Sequence, residues 1–232
     1  MKRFYCLAIV IISSFILSIP GEYNSKVNVG AMWCQSQTKH PSWTPKTKEN
    51  SYKYPAVVHC YLGWGEELYG QCTGFIADRD QDRDVATIIT CAHGYKALSE
   101  IYIKTQDGRS FKSKIVYIDP IRDLCIIQIK DPGITPIEIE DQEPYIGDKV
   151  RMVGFDRSSV TLTISEGKTI EWYAPDSELY SDYISSDCDA QPGCSGGPVL
   201  SSSGKVLFTV TGHFGNGSCV GPVLSRTLKS VK

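Results

Sequence analysis

A histidine, an aspartate and a serine, residue types that can cooperate in acyl transfer, occur along the chain in the order His93, Asp123 and Ser195. A serine hydroxyl becomes a strong nucleophile when a neighbouring histidine removes its proton, and a carboxylate can orient the imidazole and stabilise its charged form. Each residue alone is more often structural, but all three lie at the ends of predicted strands. Together they predict a triad of Ser195 as nucleophile, His93 as general base and then acid, and Asp123 as the orienting carboxylate.

Glycines flank Ser195 in the segment PGCSGGP at 192–198. Such a segment can form a tight turn that exposes the hydroxyl and points neighbouring amides at one spot, so we expect the N–H groups of Gly193 and Ser195 to form an oxyanion hole. A plain glycine turn between two strands is the alternative interpretation. Cys194 is the other nucleophile by residue type, but only Ser195 has a glycine two positions before it and two glycines after it.

The elements that must position these residues are short strands. Apolar segments rich in Val, Ile, Thr and Tyr alternate with turn residues, which is typical of an all-β barrel or sandwich. A short final helix is predicted at Ser225–Val231. The predicted strands are Ala56–Leu62, Thr73–Ala77, Val85–Thr90, Ile101–Lys104, Lys114–Ile118, Leu124–Lys130, Lys149–Val153, Val160–Ile170, Tyr183–Ser185, Pro198–Leu200 and Val206–Thr211.

The composition is that of an ordinary globular protein. The chain has 232 residues, of which 41% are hydrophobic and 22% charged, and its formal net charge is −2. This balance gives no strong field that would attract nucleic acid or an anionic membrane surface. No zinc-finger spacing and no HExxH motif are present, so we expect no metal and no cofactor. The expected partners are protein or peptide substrates.

The N-terminus has the pattern of an export signal. Two basic residues precede an almost uncharged stretch at 4–19, which Pro20 and Gly21 break. This pattern predicts a signal peptide at 1–21 and a secreted or periplasmic protein. An uncleaved membrane anchor is the alternative, although the apolar run is shorter than the roughly 20 residues that span a bilayer. No later segment is apolar enough, so we expect no stable membrane association after the signal is removed.

Eight cysteines remain once the one in the signal segment is removed. An even number of cysteines in an exported protein predicts disulfide bonds, although the sequence does not choose the pairing. The alternative is that some of them, such as Cys125 inside an apolar run, are buried free thiols.

Four segments together resemble the chymotrypsin-fold (trypsin-like) serine peptidases. The chain is most similar to their bacterial-type branch, which includes the HtrA/Deg proteases and the glutamyl endopeptidases, and the similarity runs from about residue 56 to 224. It implies two six-stranded antiparallel β-barrels with the active site between them, and the triad roles given above. The segments are TCAH at 90–93, DPIRDLCIIQI at 119–129, the stretch 145–155 and the stretch 183–198.

The chain also departs from parts of that family. Cys194 stands where the digestive enzymes have an aspartate that pairs with a newly freed N-terminus, so we do not expect activation by that ion pair. No cysteine directly follows His93, so the disulfide usual beside the histidine is absent or rearranged. No PDZ-like module follows the predicted peptidase domain, so we expect a monomer rather than an HtrA-type oligomer.

The resemblance also sets the expected domain organisation. A signal peptide at 1–21 and an extended arm, linker or pro-segment at 22–54 precede a peptidase domain at 55–232. The first barrel is expected at about 55–135 and the second at about 136–224.

Two segments are expected to line the substrate pocket. They contain Asp189 and Ala190 before the serine, and His213, Phe214 and Gly215 after the next strand. Asp189 favours a basic substrate residue, whereas His213 resembles the histidine with which glutamyl endopeptidases bind a carboxylate. The preference for acidic, basic or apolar residues therefore stays open.

These features predict a secreted serine endopeptidase that works through an acyl-enzyme intermediate. The alternative is a catalytically silent homologue that serves as a binding or adhesion module.

Overall fold

The computed structural model describes residues 53–64, 67–95, 100–158, 161–173, 182–213 and 217–230. These residues form two antiparallel seven-stranded sheets, followed by the short helix α1 at Leu224–Thr227 and a 3₁₀ turn at Leu228–Ser230. The fold is all-β, as predicted, and the final helix is shorter than expected. The predicted signal peptide and nearly all of the predicted arm lie outside the described residues. Within the part of the chain that the structure describes, no helix is long and apolar enough to cross a membrane.

The first sheet closes on itself through a bent strand. Its order is β5-β4-β1-β2-β3-β7-β6, and only Ser113 separates β5 from β6. The Ser113 amide and hydroxyl both donate to the carbonyl of Ile101, each at 3.0 Å, which holds the bend. One continuous strand therefore pairs with β4 on one side and β7 on the other, which gives the six-stranded barrel that was predicted. The strands are β1 Val57–Trp64, β2 Glu67–Asp80, β3 Val85–Thr90, β4 Glu100–Lys104, β5 Ser110–Lys112, β6 Lys114–Asp119 and β7 Leu124–Lys130.

The second sheet has the same construction. Its order is β12-β11-β8-β9-β10-β14-β13, and β12 and β13 are consecutive along the chain. Between them, the amide of Val210 donates to Gly197 and that of Thr211 donates to Val220, so the bent strand changes partner there. The strands are β8 Lys149–Phe155, β9 Leu162–Tyr173, β10 Tyr183–Asp189, β11 Pro198–Leu200, β12 Val206–Thr209, β13 Gly212–His213 and β14 Ser218–Pro222.

Several strands are buried on both faces, which explains their nearly continuous apolar sequences. Neighbouring residues of a strand point to opposite sides. In β3, Ile88 points into the first barrel while Ile89 joins a separate cluster between the barrels, and Val58 and Val57 of β1 divide in the same way. The cluster between the barrels also includes Val153, Phe155, Leu162, Leu200 and Val206 from the second sheet, and Leu224 from α1. This apolar seam fixes the two barrels against each other and fixes the loops that end at it.

Candidate active site

His93 and Asp123 are in direct contact at the end of the first barrel. His93 Nδ1 lies 2.7 Å from Asp123 Oδ2, and the two side chains are only 11% and 5% exposed. The other carboxylate oxygen, Oδ1, accepts the amides of Ala92 at 2.9 Å and His93 at 2.6 Å. One carboxylate thus binds both the imidazole and the backbone that carries it, which fixes the direction of the ring.

The loop that carries Asp123 has its own supports. Asp123 has a backbone φ of 51°, in the left-handed region that aspartate adopts more readily than most residues. Just before it, Asp119 Oδ1 accepts the amides of Ile121 and Arg122, each at 3.0 Å. The Arg122 guanidinium bonds Asp119 and reaches Asp182 of the second barrel at 3.5 Å. The loop geometry is therefore fixed from both barrels.

Backbone hydrogen bonds, within the loop and to Val210 of the bent strand, hold the serine loop at residues 191–197. The amides of Cys194, Gly196 and Gly197 donate to Gln191, Val210 and Cys194 respectively, at 2.6 to 3.0 Å. Among the described residues, the intervening amides of Gly193 and Ser195 have no hydrogen-bond partner. The two N–H groups that were predicted to form an oxyanion hole are thus both available to a ligand.

The serine loop packs directly against the strand ends of the first barrel. The Thr73 amide donates to the Ser195 carbonyl at 2.8 Å. Gly196 has a φ of 80°, and a Cβ added there would overlap the Thr73 carbonyl, the Thr90 hydroxyl and the Cys91 amide. Because Cys91 lies two residues before His93, the loop that carries Ser195 and the loop that carries His93 meet at this seam.

Cys194 does not present a thiol to this seam. Its side chain is fully buried in the core of the second barrel, and burial raises the pKa of its thiol to about 11. A protonated, inaccessible thiol is a poor nucleophile.

The two predicted pocket segments lie on either side of β14. Asp189 ends β10 and pairs with Ser218, while His213 pairs with Cys219 of the same strand. Asp189 is exposed, and both its carboxylate oxygens accept from the Gln191 amide, at 3.0 and 3.1 Å. With a strand between them, the backbones at 189 and 213 stand roughly 10 Å apart, twice the usual strand spacing.

Of the remaining predicted pocket residues, one is buried and two lie outside the described residues. Ala190 is buried, and its amide donates to the carbonyl of Gly217 at 3.1 Å. Phe214 and Gly215 lie outside the described residues. Gly217, directly before β14, packs against both Ala190 and Asp189: a Cβ added at Gly217 would lie 2.8 Å from Asp189 Oδ1. The sequence did not indicate this neighbour, because no motif marks it.

Thr73 and Gln71 were also missed. Both lie on β2 and form hydrogen bonds across the seam. The Thr73 hydroxyl donates to the Gly193 carbonyl and accepts the Phe155 amide, and the Gln71 side-chain amide donates to the Arg157 carbonyl at 2.8 Å. A threonine or glutamine in a strand carries no sequence signal of such a role. In the described ranges, no group of three or more His, Cys, Asp and Glu side chains is arranged to hold a metal ion.

Two closed β-barrels with a His–Asp pair and a glycine-rich serine loop at their seam define the trypsin-like class. A family model for the trypsin-like peptidase domain matches residues 72–207, which is more than half of the chain. The chain therefore belongs to the trypsin-like peptidase family.

Curated relatives include bacterial proteases. The chain is 26% identical over 199 residues to the periplasmic serine endoprotease DegP of Escherichia coli K12, covering 83% of this chain and 42% of DegP. It is 29% identical over 153 residues to the putative serine protease HhoA of Synechocystis, covering 60% of this chain and 36% of HhoA. With the serine protease Do-like HtrA of Bacillus subtilis it shares 26% identity over 147 residues, 60% of this chain and 32% of the relative. The chain thus spans less than half the length of these relatives.

A solved structure shares the fold. The serine endoprotease from Yersinia pestis superposes with a TM-score of 0.66 at 21% identity, over 82% of this chain and 66% of that one.

Proposed function

We propose that this chain is an exported serine endopeptidase that hydrolyses peptide bonds through an acyl-enzyme intermediate. The observation that carries the proposal is the 2.7 Å contact between His93 Nδ1 and Asp123 Oδ2, at the seam where the serine loop packs. Membership of the trypsin-like peptidase family and the serine endoproteases among its relatives support the same activity.

In the proposed reaction, Asp123 keeps the His93 proton on Nδ1, so that Nε2 is the basic atom of the ring. Nε2 accepts the hydroxyl proton as the Ser195 oxygen attacks the carbonyl carbon of the substrate. The same proton is then given to the leaving amine, and the acyl group stays on Ser195. Water, deprotonated by His93, releases the acyl group as a carboxylic acid and restores the serine.

The proposed oxyanion hole consists of the amides of Gly193 and Ser195. Negative charge develops on the substrate oxygen in both tetrahedral intermediates, and two fixed N–H donors stabilise it at little reorganisation cost. That these two amides have no partner among the described residues, while their neighbours in the loop do, supports this assignment.

The activity is tested by cleavage of a peptide library with the mature protein and with Ser195→Ala. We expect the wild-type protein to cleave and the variant to lose cleavage while keeping its circular dichroism spectrum and melting temperature. A folded wild-type protein that cleaves nothing, with or without the arm at 22–54, would instead favour the catalytically silent binding module.

The cleavage pattern of the library also measures the preference of the substrate pocket. We propose that this pocket lies between Asp189–Ala190 and His213–Gly215. If Asp189 binds the substrate, cleavage follows basic residues and Asp189→Asn abolishes that preference. If His213 binds it, cleavage follows acidic residues and His213→Gln abolishes that one instead. Neither variant is expected to slow acylation by a small, non-specific ester.

Export and disulfide formation are parts of the same proposal. The basic and apolar N-terminal sequence supports export, and DegP is a periplasmic protein. The seven described cysteines are thiols in the structure, so the predicted disulfides stay a prediction. The register favours Cys60 with Cys72, which are direct partners across β1 and β2. Direct antiparallel partners have Cα atoms roughly 4.5–5.5 Å apart, within the range that a disulfide spans.

This pairing is tested by non-reducing peptide mapping of the mature protein, produced by secretion through an oxidising compartment in which disulfides can form. We expect a linked Cys60–Cys72 peptide, and a melting temperature that falls when reductant is added, because a disulfide is typically worth about 2–4 kcal/mol. Thiols alone in the mature exported protein would contradict it.

A further inference from the structure

Thr73 belongs to the first barrel, yet it binds the serine loop of the second barrel. It lies on β2 and is fully buried. Its hydroxyl donates to the Gly193 carbonyl at 2.8 Å and accepts the Phe155 amide at 2.8 Å. Its own amide donates to the Ser195 carbonyl at 2.8 Å. One side chain and one amide thus contact the loop on both sides of the cysteine that precedes the nucleophile candidate.

The two proposed oxyanion donors sit on peptide groups whose directions are fixed by their carbonyls. In a planar trans peptide, the N–H points opposite to the C=O. The peptide that carries the Gly193 amide has its carbonyl, on Pro192, bonded by the Arg157 amide at 2.7 Å. The peptide that carries the Ser195 amide has its carbonyl, on Cys194, bonded by the Gly197 amide at 2.8 Å.

The peptide between these two is the one that Thr73 holds. Its carbonyl belongs to Gly193, and its amide, on Cys194, donates to Gln191 at 3.0 Å. Gly193 has a φ of 103°, and a Cβ there would overlap the carbonyl of Phe155, so glycine is required at this position. Glycine also leaves the backbone free to rotate. A rotation of this middle peptide would turn both donors away from a common point.

A second contact from β2 supports the same loop indirectly. Gln71 lies two residues before Thr73 and donates to the Arg157 carbonyl, at 2.8 Å. Arg157 is the residue whose amide binds Pro192. The first barrel therefore holds the serine loop both directly and through the β8–β9 turn.

We propose that Thr73 is a positioning residue for the reaction, an inference that rests on the proposed function. Its hydroxyl, shared between the Phe155 amide and the Gly193 carbonyl, keeps the middle peptide of the serine loop in the orientation that aims both donors at the substrate oxygen. The same bonds couple the position of the first barrel, which carries His93 and Asp123, to the shape of the oxyanion hole. The side chain does not touch the reacting atoms.

The test separates the hydroxyl from the methyl group of Thr73. Thr73→Val keeps the shape and loses the hydroxyl, whereas Thr73→Ser keeps the hydroxyl and loses the methyl. We expect Thr73→Val to lower kcat on a library-derived peptide about 10- to 100-fold with little change in KM. Loss of an oxyanion donor itself costs roughly 10²–10³ in kcat, and a positioning residue should cost less. A fluorophosphonate probe reacts with activated serine hydroxyls, and the rate at which it labels the protein should fall in parallel with kcat. Thr73→Ser should restore both kcat and the labelling rate.

Thr209→Val is the matched control. Thr209 is fully buried like Thr73, but its hydroxyl has no hydrogen-bond partner among the described residues. We expect this variant to keep wild-type kcat. Rates are normalised to the sites that fluorophosphonate finally labels, so that misfolded protein does not count.

Each outcome decides the inference. Wild-type kcat in folded Thr73→Val, or a Thr73→Ser variant as slow as Thr73→Val, would overturn it. If Thr73→Val does not fold, Thr73→Ala against Thr73→Ser makes the same comparison without the methyl, and equal kcat in that pair would overturn it. A wild-type protein that is never labelled would instead overturn the proposed function.

Discussion

The two carboxylate oxygens of Asp123 make three hydrogen bonds, two to backbone amides and one to His93. Replacement by asparagine separates the role of the backbone bonds from that of the bond to His93. In Asp123→Asn the amide oxygen can still accept the Ala92 and His93 amides, so the loop can keep its shape. The NH₂ group then faces His93 Nδ1 and favours the tautomer with its proton on Nε2, which cannot act as base. We expect kcat to fall about 10³- to 10⁴-fold with a nearly unchanged melting temperature.

Asp131→Asn is the control for this prediction. Asp131 follows the far end of β7, the strand that Asp123 precedes, and its carboxylate pairs with Arg79 at 2.6 Å. We expect a small loss of stability and an unchanged kcat. A kcat for Asp123→Asn within threefold of wild type would show that Asp123 does not orient the base.

His59 is a fully buried histidine, and we expect it to make the stability of the protein depend on pH. Its ring stacks on Phe155 across the seam, with centroids 4.7 Å apart and an interplanar angle of 6°. Neither ring nitrogen has a hydrogen-bond partner among the described residues. Burial of the ring disfavours its charged form and lowers the pKa of His59 to about 4.

The sign of the effect follows from proton binding. Below about pH 6.5 the unfolded chain binds a proton at His59 that the folded protein does not bind until about pH 4. The free energy of unfolding should therefore fall as pH decreases from 6.5 to 4, by about 3 kcal/mol from this residue, and not change above 6.5. Denaturant melts of wild type and His59→Phe measure it. Parallel pH profiles for the two proteins would contradict the prediction.

At the scale of elements, the serine loop and the first barrel approach too closely at Gly196 for any side chain. Its φ of 80° alone should cost an alanine roughly 1–2 kcal/mol. The added Cβ would also push the loop away from Thr73 and Cys91. We expect Gly196→Ala to lower stability by more than the φ cost and to abolish fluorophosphonate labelling.

Gly204→Ala isolates the contribution of φ. Gly204 has a φ of 84°, but a Cβ there meets no atom within 4 Å. We expect a loss of roughly 1–2 kcal/mol in chemical denaturation with full labelling. If both variants lose the same stability and both label normally, the close approach at Gly196 does not matter to the site.

How far the sequence predicts these elements depends on what local residues encode. Strands such as β3 and β7 were predictable because they are buried on both faces and are therefore long apolar runs. The short arms β5 and β13 were not predicted, because each is one end of a bent strand whose second pairing is a tertiary contact. β14 was missed as well: its sequence, SCVGP, contains a glycine and a proline and has no alternation.

The same distinction applies to the site. His93, Asp123 and the serine loop could be proposed as a site from the sequence because serine catalysis needs particular residue types in recognisable segments. Thr73 and Gln71 could not, because their roles depend on which atoms of the second barrel lie opposite them. The pocket was predicted only as two segments, and the strand between them became evident only from the register.

In the whole molecule, two barrels bring together loops that are distant in sequence. The first barrel supplies the His–Asp pair and the second supplies the serine loop. The seam between them combines the apolar cluster with the hydrogen bonds of Thr73 and Gln71, and with the ion pair of Arg122 and Asp182. If the proposed function is right, activity depends on this seam as much as on the three catalytic side chains.

The most direct measurement is mass-spectrometric mapping of the fluorophosphonate adduct on the folded mature protein. We predict one adduct per molecule, on the Ser195 hydroxyl, formed at least ~10³-fold more slowly in His93→Ala. An adduct on another residue, an unchanged rate in His93→Ala, or no adduct on folded protein would contradict it.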